Sequence, residues 1–288
     1  MAFTSAAHTG DTEMELILSI VQEELVHEAK LLPTVTDYSA MIEKGAKSLD
    51  VPRFDSHFSD PAAQNADGTT ATAAQQVEFT ADKIPLDKWV TLPYDIPDRI
   101  SQQTRINLEA EVAASAGKKF GRYMDKEIIV ELRKAADGEG GLPDHTVNFS
   151  GASDTLALAD ILSARQKLNR ANVPQSNRFL LIPPEKETDL LSLDNIVRAD
   201  QYGAREGLLD GEVGRLYGFR VIVHNELAAD EAIAYQSGAV GYAIQKQMKF
   251  ERQRGSLKLQ RDEYAVSAGW GVAVLEQGVK QVIFAEEV

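Results

Sequence analysis

An α+β fold, with helical and extended segments set apart along the chain, is predicted by three features. Residues 98–136 carry a single apolar row at helical spacing. Residues 46–97 and the region after Ala232 carry short extended runs bounded by turn residues. Between them, residues 153–227 combine an amphipathic helix with two brief buried-strand runs, 178–182 (RFLLI) closed by Pro183 and Pro184, and 220–223 (RVIV), which makes a compact α/β module.

The first periodic segment, residues 11–32, sets Met14, Leu16, Ile17, Ile20, Val21, Leu25 and Leu31 on one side. Five glutamates, at 13, 15, 23, 24 and 28, lie largely on another. This is an amphipathic helix stopped by Pro33, either packed on its own core or docked as an arm on a neighbouring subunit.

Residues 48–54, 75–80 and 83–93 read as extended runs around a tip at 55–74 made mostly of Asp, Ala, Asn, Gly and Thr. So polar a stretch buries too little apolar surface to order itself inside a domain, so it projects as a long hairpin tip. The flanking runs nevertheless keep Phe54, Phe58, Val77, Phe79 and Trp89, which points to contact with something outside the hairpin.

A helix then runs from Pro97–Asp98 to about Ala136, with Leu108, Val112, Ala116, Phe120, Met124, Ile128 and Leu132 recurring at intervals of four. Such a helix spans about 57 Å at 1.5 Å per residue and outlasts a small core. Gly117 and Gly121 each cost up to about 1 kcal/mol in its middle and favour a bend. Asp137-Gly-Glu-Gly-Gly ends it.

In the module, Leu158, Ile161, Leu162 and Leu168 form the apolar helical face, Ser153 or Asp154 is the expected N-cap, and Asn172 before Pro174 marks the helix end. Residues 185–193 read as a second short helix and 194–217 as a long irregular connection with four glycines. Residues 232–235 read as a strand and 237–246 as a short helix. Runs 248–252, 264–276 and 279–284 read as a terminal β-sheet, with Gln277-Gly278 turning between the last two.

The bulk composition excludes several functions. The chain has 288 residues, 43% of them hydrophobic, enough for a sizeable core. A net charge of −14 disfavours general nucleic-acid binding, which needs clustered cations. With no cysteine there are no disulfides, thiolate nucleophiles or Cys-ligated zinc sites. No secretory signal and no apolar run near the ~18 residues of a membrane span are visible, so a soluble chain, intracellular at synthesis, is expected.

No catalytic or ligand-binding pattern stands out in the sequence. The histidines at 8, 27, 57, 145 and 224 are scattered, with His27 beside Glu24 and Glu28 the least weak ligand candidate, and no metal or other cofactor is expected. Gly269-Trp-Gly271 lies in an apparent strand and lacks the third glycine and helix of a dinucleotide site, so it reads as a strand bend. Phosphate-loop and nucleophile-elbow patterns are absent, and no enzyme activity is expected. One charge cluster stands out: Lys246, Lys249, Arg252, Arg254, Lys258 and Arg261 against the single acid Glu251. This basic hairpin is either a solvated face or a surface meeting acidic groups on a neighbour, such as the glutamate-rich segment.

The order of parts in residues 153–227, with Gly211, Gly214 and Gly218 ahead of Phe219 and the exit Asn225, Glu226, Leu227, resembles the axial domain of tailed-bacteriophage major capsid proteins of the Hong Kong 97 fold. The order of the remaining parts resembles the same family, more by sequence of elements than by motif. The resemblance implies an N-terminal arm at 1–45 and an extended hairpin loop at 46–97. It further implies a spine helix with part of the peripheral domain at 98–150, an axial domain at 151–235, and a return to the peripheral β-sheet at 236–288. It implies a structural protein that assembles as pentamers and hexamers into an icosahedral shell enclosing double-stranded DNA without sequence-specific binding. Portal and decoration proteins and a separate scaffold are the expected partners, with no membrane involved; the virion is the expected location and the host cytoplasm the place of assembly. Glu23, Glu24, Phe54, Phe58, Phe79, Trp89, Arg252, Arg254 and Lys258 are the candidate inter-subunit contacts. With no lysine between Lys47 and Lys83, a lysine–asparagine cross-link through the loop tip is not supported. Two competing functions remain: an encapsulin-like compartment shell, and a soluble α+β enzyme with a mobile lid at 55–74.

Overall fold

The computed structural model describes residues 29–55, 78–99, 108–136, 146–150, 155–192, 214–255, 260–275 and 282–286. The first amphipathic helix as far as residue 28, the hairpin tip at 56–77 and the connection at 193–213 lie outside these residues.

Helix α1 (Leu108–Ala136) is the wall against which the rest is built. Its row at intervals of four is buried as the spacing demands: Ala116, Phe120, Met124, Ile128 and Leu132 are at most 4% exposed. Ala113, Ile129 and Ala135 widen the stripe, and the helix runs unbroken past Gly117 and Gly121.

One side of this core is a four-stranded sheet in the order β1 (Thr36–Asp37), β10 (Val240–Arg254), β11 (Arg261–Val274), β4 (Lys88–Pro97). The second is a six-stranded sheet in the order β5 (Thr146–Asn148), β12 (Val282–Glu286), β9 (Glu231–Gln236), β6 (Arg178–Ile182), β8 (Phe219–Val223), β7 (Arg215–Leu216). Phe179 and Leu181 of β6, Ile233 and Tyr235 of β9 and Val282 of β12 join α1 in the same cluster as Phe250, Tyr264, Val266 and Trp270 of the other sheet. One helix therefore closes both sheets into one core.

The alternating strand residues face the other way. Leu180, Ile182, Ala232 and Ala234 pack with Ile161 and Leu168 of α2 (Leu158–Arg170) and Leu190 of α3 (Pro184–Ser192). Strand β6 is buried along its whole length because both its faces are covered. A separate two-stranded ribbon, β2 (Ser48–Asp55) with β3 (Glu78–Pro85), rests on the body at its base through Leu49 and Ile84, which meet Ala243, Ala273 and Leu275.

Several expectations are corrected. Residues 237–239 are a turn and 240–246 belong to β10, so this run is not a helix: Val240, Tyr242 and Ile244 suit a pleated surface, and pairing with β11 along the strand outweighs a short local helical signal. The described end of the run at 279–284 does not pair with β11: β12 (Val282–Glu286) lies in the other sheet, antiparallel with β9 and parallel with β5. Local sequence carries no record of which sheet offers an open edge. The N-cap of α2 is Ala157, with the Asp160 carboxylate accepting the Ala157 N–H at 2.9 Å, so Asp160, not Ser153 or Asp154, supplies the capping oxygen. Leu32–Thr34 form a separate 3-10 turn that contains Pro33. Asn172 does end α2, in a left-handed conformation with φ of 56°.

Gly269 and Gly271 sit in β11 where neighbours approach closely. A Cβ on Gly271 lies 2.1 Å from the Pro85 carbonyl oxygen, whereas a Cβ on Gly269 lies 2.6 Å from the ring of Trp89, which is 59% exposed. Backbone cannot give way and a surface ring can. Gly271→Ala is therefore expected to cost about 3 kcal/mol and Gly269→Ala less than about 1 kcal/mol in urea unfolding of the purified chain. Equal losses for the two would contradict this.

Candidate functional site

The described residues hold no group of three or more His, Asp or Glu side chains placed to bind a metal ion, and no described helix is long and apolar enough to cross a membrane. What the chain presents is surface for contact, backed by a buried polar tie.

Trp89 is the most exposed large apolar side chain of the described residues, on edge strand β4 directly opposite Gly269. The missing side chain at Gly269 lets the indole lie flat on the sheet, with the Lys246 ammonium 5.2 Å from its centre. Along β4 the outward residues Trp89, Thr91, Pro93 and Asp95 alternate with Val90, Leu92, Tyr94 and Ile96, which turn to the core. Phe54 and Phe79 are opposite partners in the β2–β3 ribbon. Glu23, Glu24, Phe58 and Lys258 lie outside the described residues.

The basic hairpin proves to be internally paired. Arg252 donates to Asp262 at 2.8 Å, and Arg254 bridges Asp262, at 2.9 Å, and Asp98. Arg261 meets Asp95 and Glu263, each at 3.0 Å, and Lys249 meets Glu251. Burial pushes the Asp262 carboxyl up, but the hydrogen bonds from Arg252 and Arg254 outweigh it and hold the group below the usual carboxylate range. The hydrogen bonds that Arg254 donates to Asp98 and Asp262 likewise hold it firmly charged. The network staples the outer ends of β4, β10 and β11 together, an intrachain role that the one-sided charge count of residues 246–261 did not reveal because the acids come from other segments.

The tie that sequence reasoning missed altogether is at Asp125. This α1 carboxylate is fully buried and accepts the Lys30 N–H at 2.9 Å, the Leu31 N–H at 3.2 Å and lies 3.2 Å from His224 Nε2. His224 Nδ1 in turn accepts the Glu226 N–H at 3.2 Å, which leaves Nε2 to carry the proton toward Asp125. Close by, Thr34 donates to the Leu31 carbonyl and receives the Tyr235 hydroxyl, both at 2.6 Å. Burial pushes the Tyr235 phenol well above its ordinary range, so it stays a donor. Arg133 of α1 pairs with Glu231 at the start of β9. The root of the N-terminal segment, α1 and the module strands are thus bolted together by polar groups 94 to 201 residues apart in sequence. Nothing local signals them.

Comparison with known proteins places these features in a family. The profile of the family described as "Phage capsid protein" matches residues 27–267. No curated protein sequence matches the chain. Among solved structures, the capsid of cyanophage Pam1 superposes with a TM-score of 0.73 at 11% identity, covering 90% of this chain and 92% of that one. The capsid of cyanophage P-SCSP1u gives 0.71 at 16% identity, over 88% and 86%. The virus-like particle from Pyrococcus furiosus gives 0.64 at 14% identity, over 95% and 99%. At such identities the likeness shows the fold, that of the Hong Kong 97 type of capsid protein.

The Asp125 tie is testable in the isolated chain. Asp125→Ala strands two backbone N–H groups and the His224 ring N–H in the interior and is expected to cost about 3–5 kcal/mol in chemical denaturation, whereas Asp262→Ala, on a more exposed network, is expected to cost about 1 kcal/mol. A smaller loss at Asp125 than at Asp262 would show that the buried carboxylate does not hold these segments together.

Proposed function

Since the chain belongs to the phage capsid protein family, we propose that this shell-forming structural protein of the virion assembles as pentamers and hexamers into an icosahedral head enclosing double-stranded DNA. The observation that supports this most directly is the β2–β3 ribbon. Eight residues in each strand pair without a third strand, and the described side chains that anchor it to the body cluster at its base. A two-stranded ribbon is marginal alone in water and gains stability when laid on another surface. Across a shell, the nearest such surface is a copy of the same chain.

In this reading residues 1–45 are the arm and 46–97 the extended loop. Residues 98–150 carry the spine helix, 151–235 the axial domain and 236–288 the return to the peripheral sheet. Glu23, Glu24, Phe54, Phe58, Phe79, Trp89, Arg252, Arg254 and Lys258 contribute contacts between subunits, Arg252 and Arg254 while keeping their pairs with Asp262 and Asp98 of the same chain. The net charge of −14 keeps an inner wall from adhering to packaged DNA. Scaffold, portal and decoration proteins complete the particle, assembled in the host cytoplasm. A second reading, a compartment shell that holds protein cargo, is favoured by one observation, the nearly full-length match to the Pyrococcus furiosus particle.

Light scattering and negative-stain microscopy of the purified protein, alone and with the products of neighbouring genes, are expected to show closed shells; a monodisperse monomer in every condition would falsify the proposal. Protein cargo inside shells, with no nuclease-protected DNA in particles from infected cells, would transfer the assignment to the compartment reading. Trp89→Ala is expected to lower shell yield while changing subunit stability by less than about 1 kcal/mol, as befits an exposed side chain.

A further inference from the structure

The face of the six-stranded sheet turned away from α1 is covered, among the described residues, by α2 and α3, and the outward sides of these two helices carry opposite charge. From Ile161 to Arg170, α2 contains Arg165, Lys167 and Arg170 and no acid. Leu162, Arg165, Gln166, Asn169 and Arg170 follow the i, i+3, i+4, i+7, i+8 spacing of one helical face and line a shallow hollow along it, with Leu162 42% exposed. Positive charge is in surplus here: burial and the neighbouring Arg165 together hold the buried Arg178 guanidinium below its ordinary range.

On α3 the signs are reversed. Glu185, exposed, and Glu187, half-buried, occupy its first turn, and Leu191 stands one turn beyond Glu187, 40% exposed. The lysine of this helix, Lys186, is turned inward, 7% exposed, with its ammonium 4.4 Å from the centre of the Phe149 ring. Single exposed leucines are ordinary on protein surfaces. Two of them, one in a basic setting and one in an acidic setting, are not equivalent sites. Neither face can meet its own copy across a two-fold axis, because like charges would be opposed; each can meet the other.

We propose that the α2 face of one subunit docks on the α3 face of the next copy of this chain, a head-to-tail contact that closes into a ring. The contact rests on the shell-building function proposed above and names which surfaces join within a capsomer. Arg165 and Arg170 meet Glu185 and Glu187, while Leu162 and Leu191 exclude water between them. A head-to-tail interface uses two different surfaces of each chain, so exchanging the charges of both within one chain restores complementarity.

That exchange is the test. The full chain carrying Arg165→Glu with Arg170→Glu, the chain carrying Glu185→Arg with Glu187→Arg, and the chain carrying all four are compared with the parent. Shell yield is read by sedimentation and light scattering at low salt, and folding by circular dichroism and thermal melting. Each pair alone is expected to lower yield about tenfold or more with melting unchanged, and the four together to return it to within about twofold of the parent. If a reversed pair does not fold, Arg165→Gln with Arg170→Gln reads the same loss in a neutral form. Pairs that assemble like the parent, or a folded fourfold chain that stays as deficient as either pair, would overturn this contact alone. A parent that forms no oligomer overturns the shell function and the contact with it.

Discussion

A carboxylate without solvent is the constraint on which this structure turns. Asp125 is removed from water in the middle of a long helix, and an ionised group in that position is tolerable only when its oxygens are filled with donors. The donors come from the backbone at Lys30 and Leu31 and from His224 just past β8. Because each donor has one geometry in which it serves, the carboxylate sets how the N-terminal segment leaves the body and how the six-stranded sheet sits on α1. The Thr34–Tyr235 and Arg133–Glu231 contacts repeat the same connection at other points along these elements.

With that frame rigid, α1 acts as a common wall. Its apolar stripe closes two sheets that would otherwise be separate layers, and the aromatic groups Phe120, Tyr123 and Trp270 pack edge to face where the helix crosses β11. What is left over points outward: the ribbon of β2 and β3, the indole of Trp89 on an edge strand, and the charged faces of α2 and α3. A capsid subunit needs this division. A stiff body transmits geometry from one neighbour to the next, while individually weak contacts at its margins are multiplied by symmetry.

Charge is distributed by the same logic. A chain with net charge −14 repels copies of itself at long range, and assembly then depends on where the cations are placed. At the outer ends of β4, β10 and β11 most of the described arginines are paired within the subunit, where they hold strands together. On α2 they are gathered on an outward face, away from the acids of α3. The same residue type therefore serves the fold in one place and is available to a neighbour in the other.

Much of the fold was legible from periodicity. The four-residue row of α1, the short apolar run within β6 and the order of helix, strand and helix in the module all follow from spacing that local sequence records, because each element must present a face to a core. The resemblance to capsid proteins rested on that order and agrees with the family match. Pairing was not legible. Whether 279–284 joined β11 or crossed to β9, and whether 237–246 became helix or strand, depended on which sheet edges stood open, and that is a property of the assembled layers. The Asp125 tie was equally hidden, since His224 and Asp125 are 99 residues apart and each looks ordinary in its own neighbourhood. Sequence by itself determined most of the helices and buried strands, the run at 237–246 excepted, and how they would follow one another, because backbone periodicity is local. Only the tertiary structure decided which strands became neighbours and which charges were answered within the chain, because those outcomes depend on distances that exist only after the segments have packed.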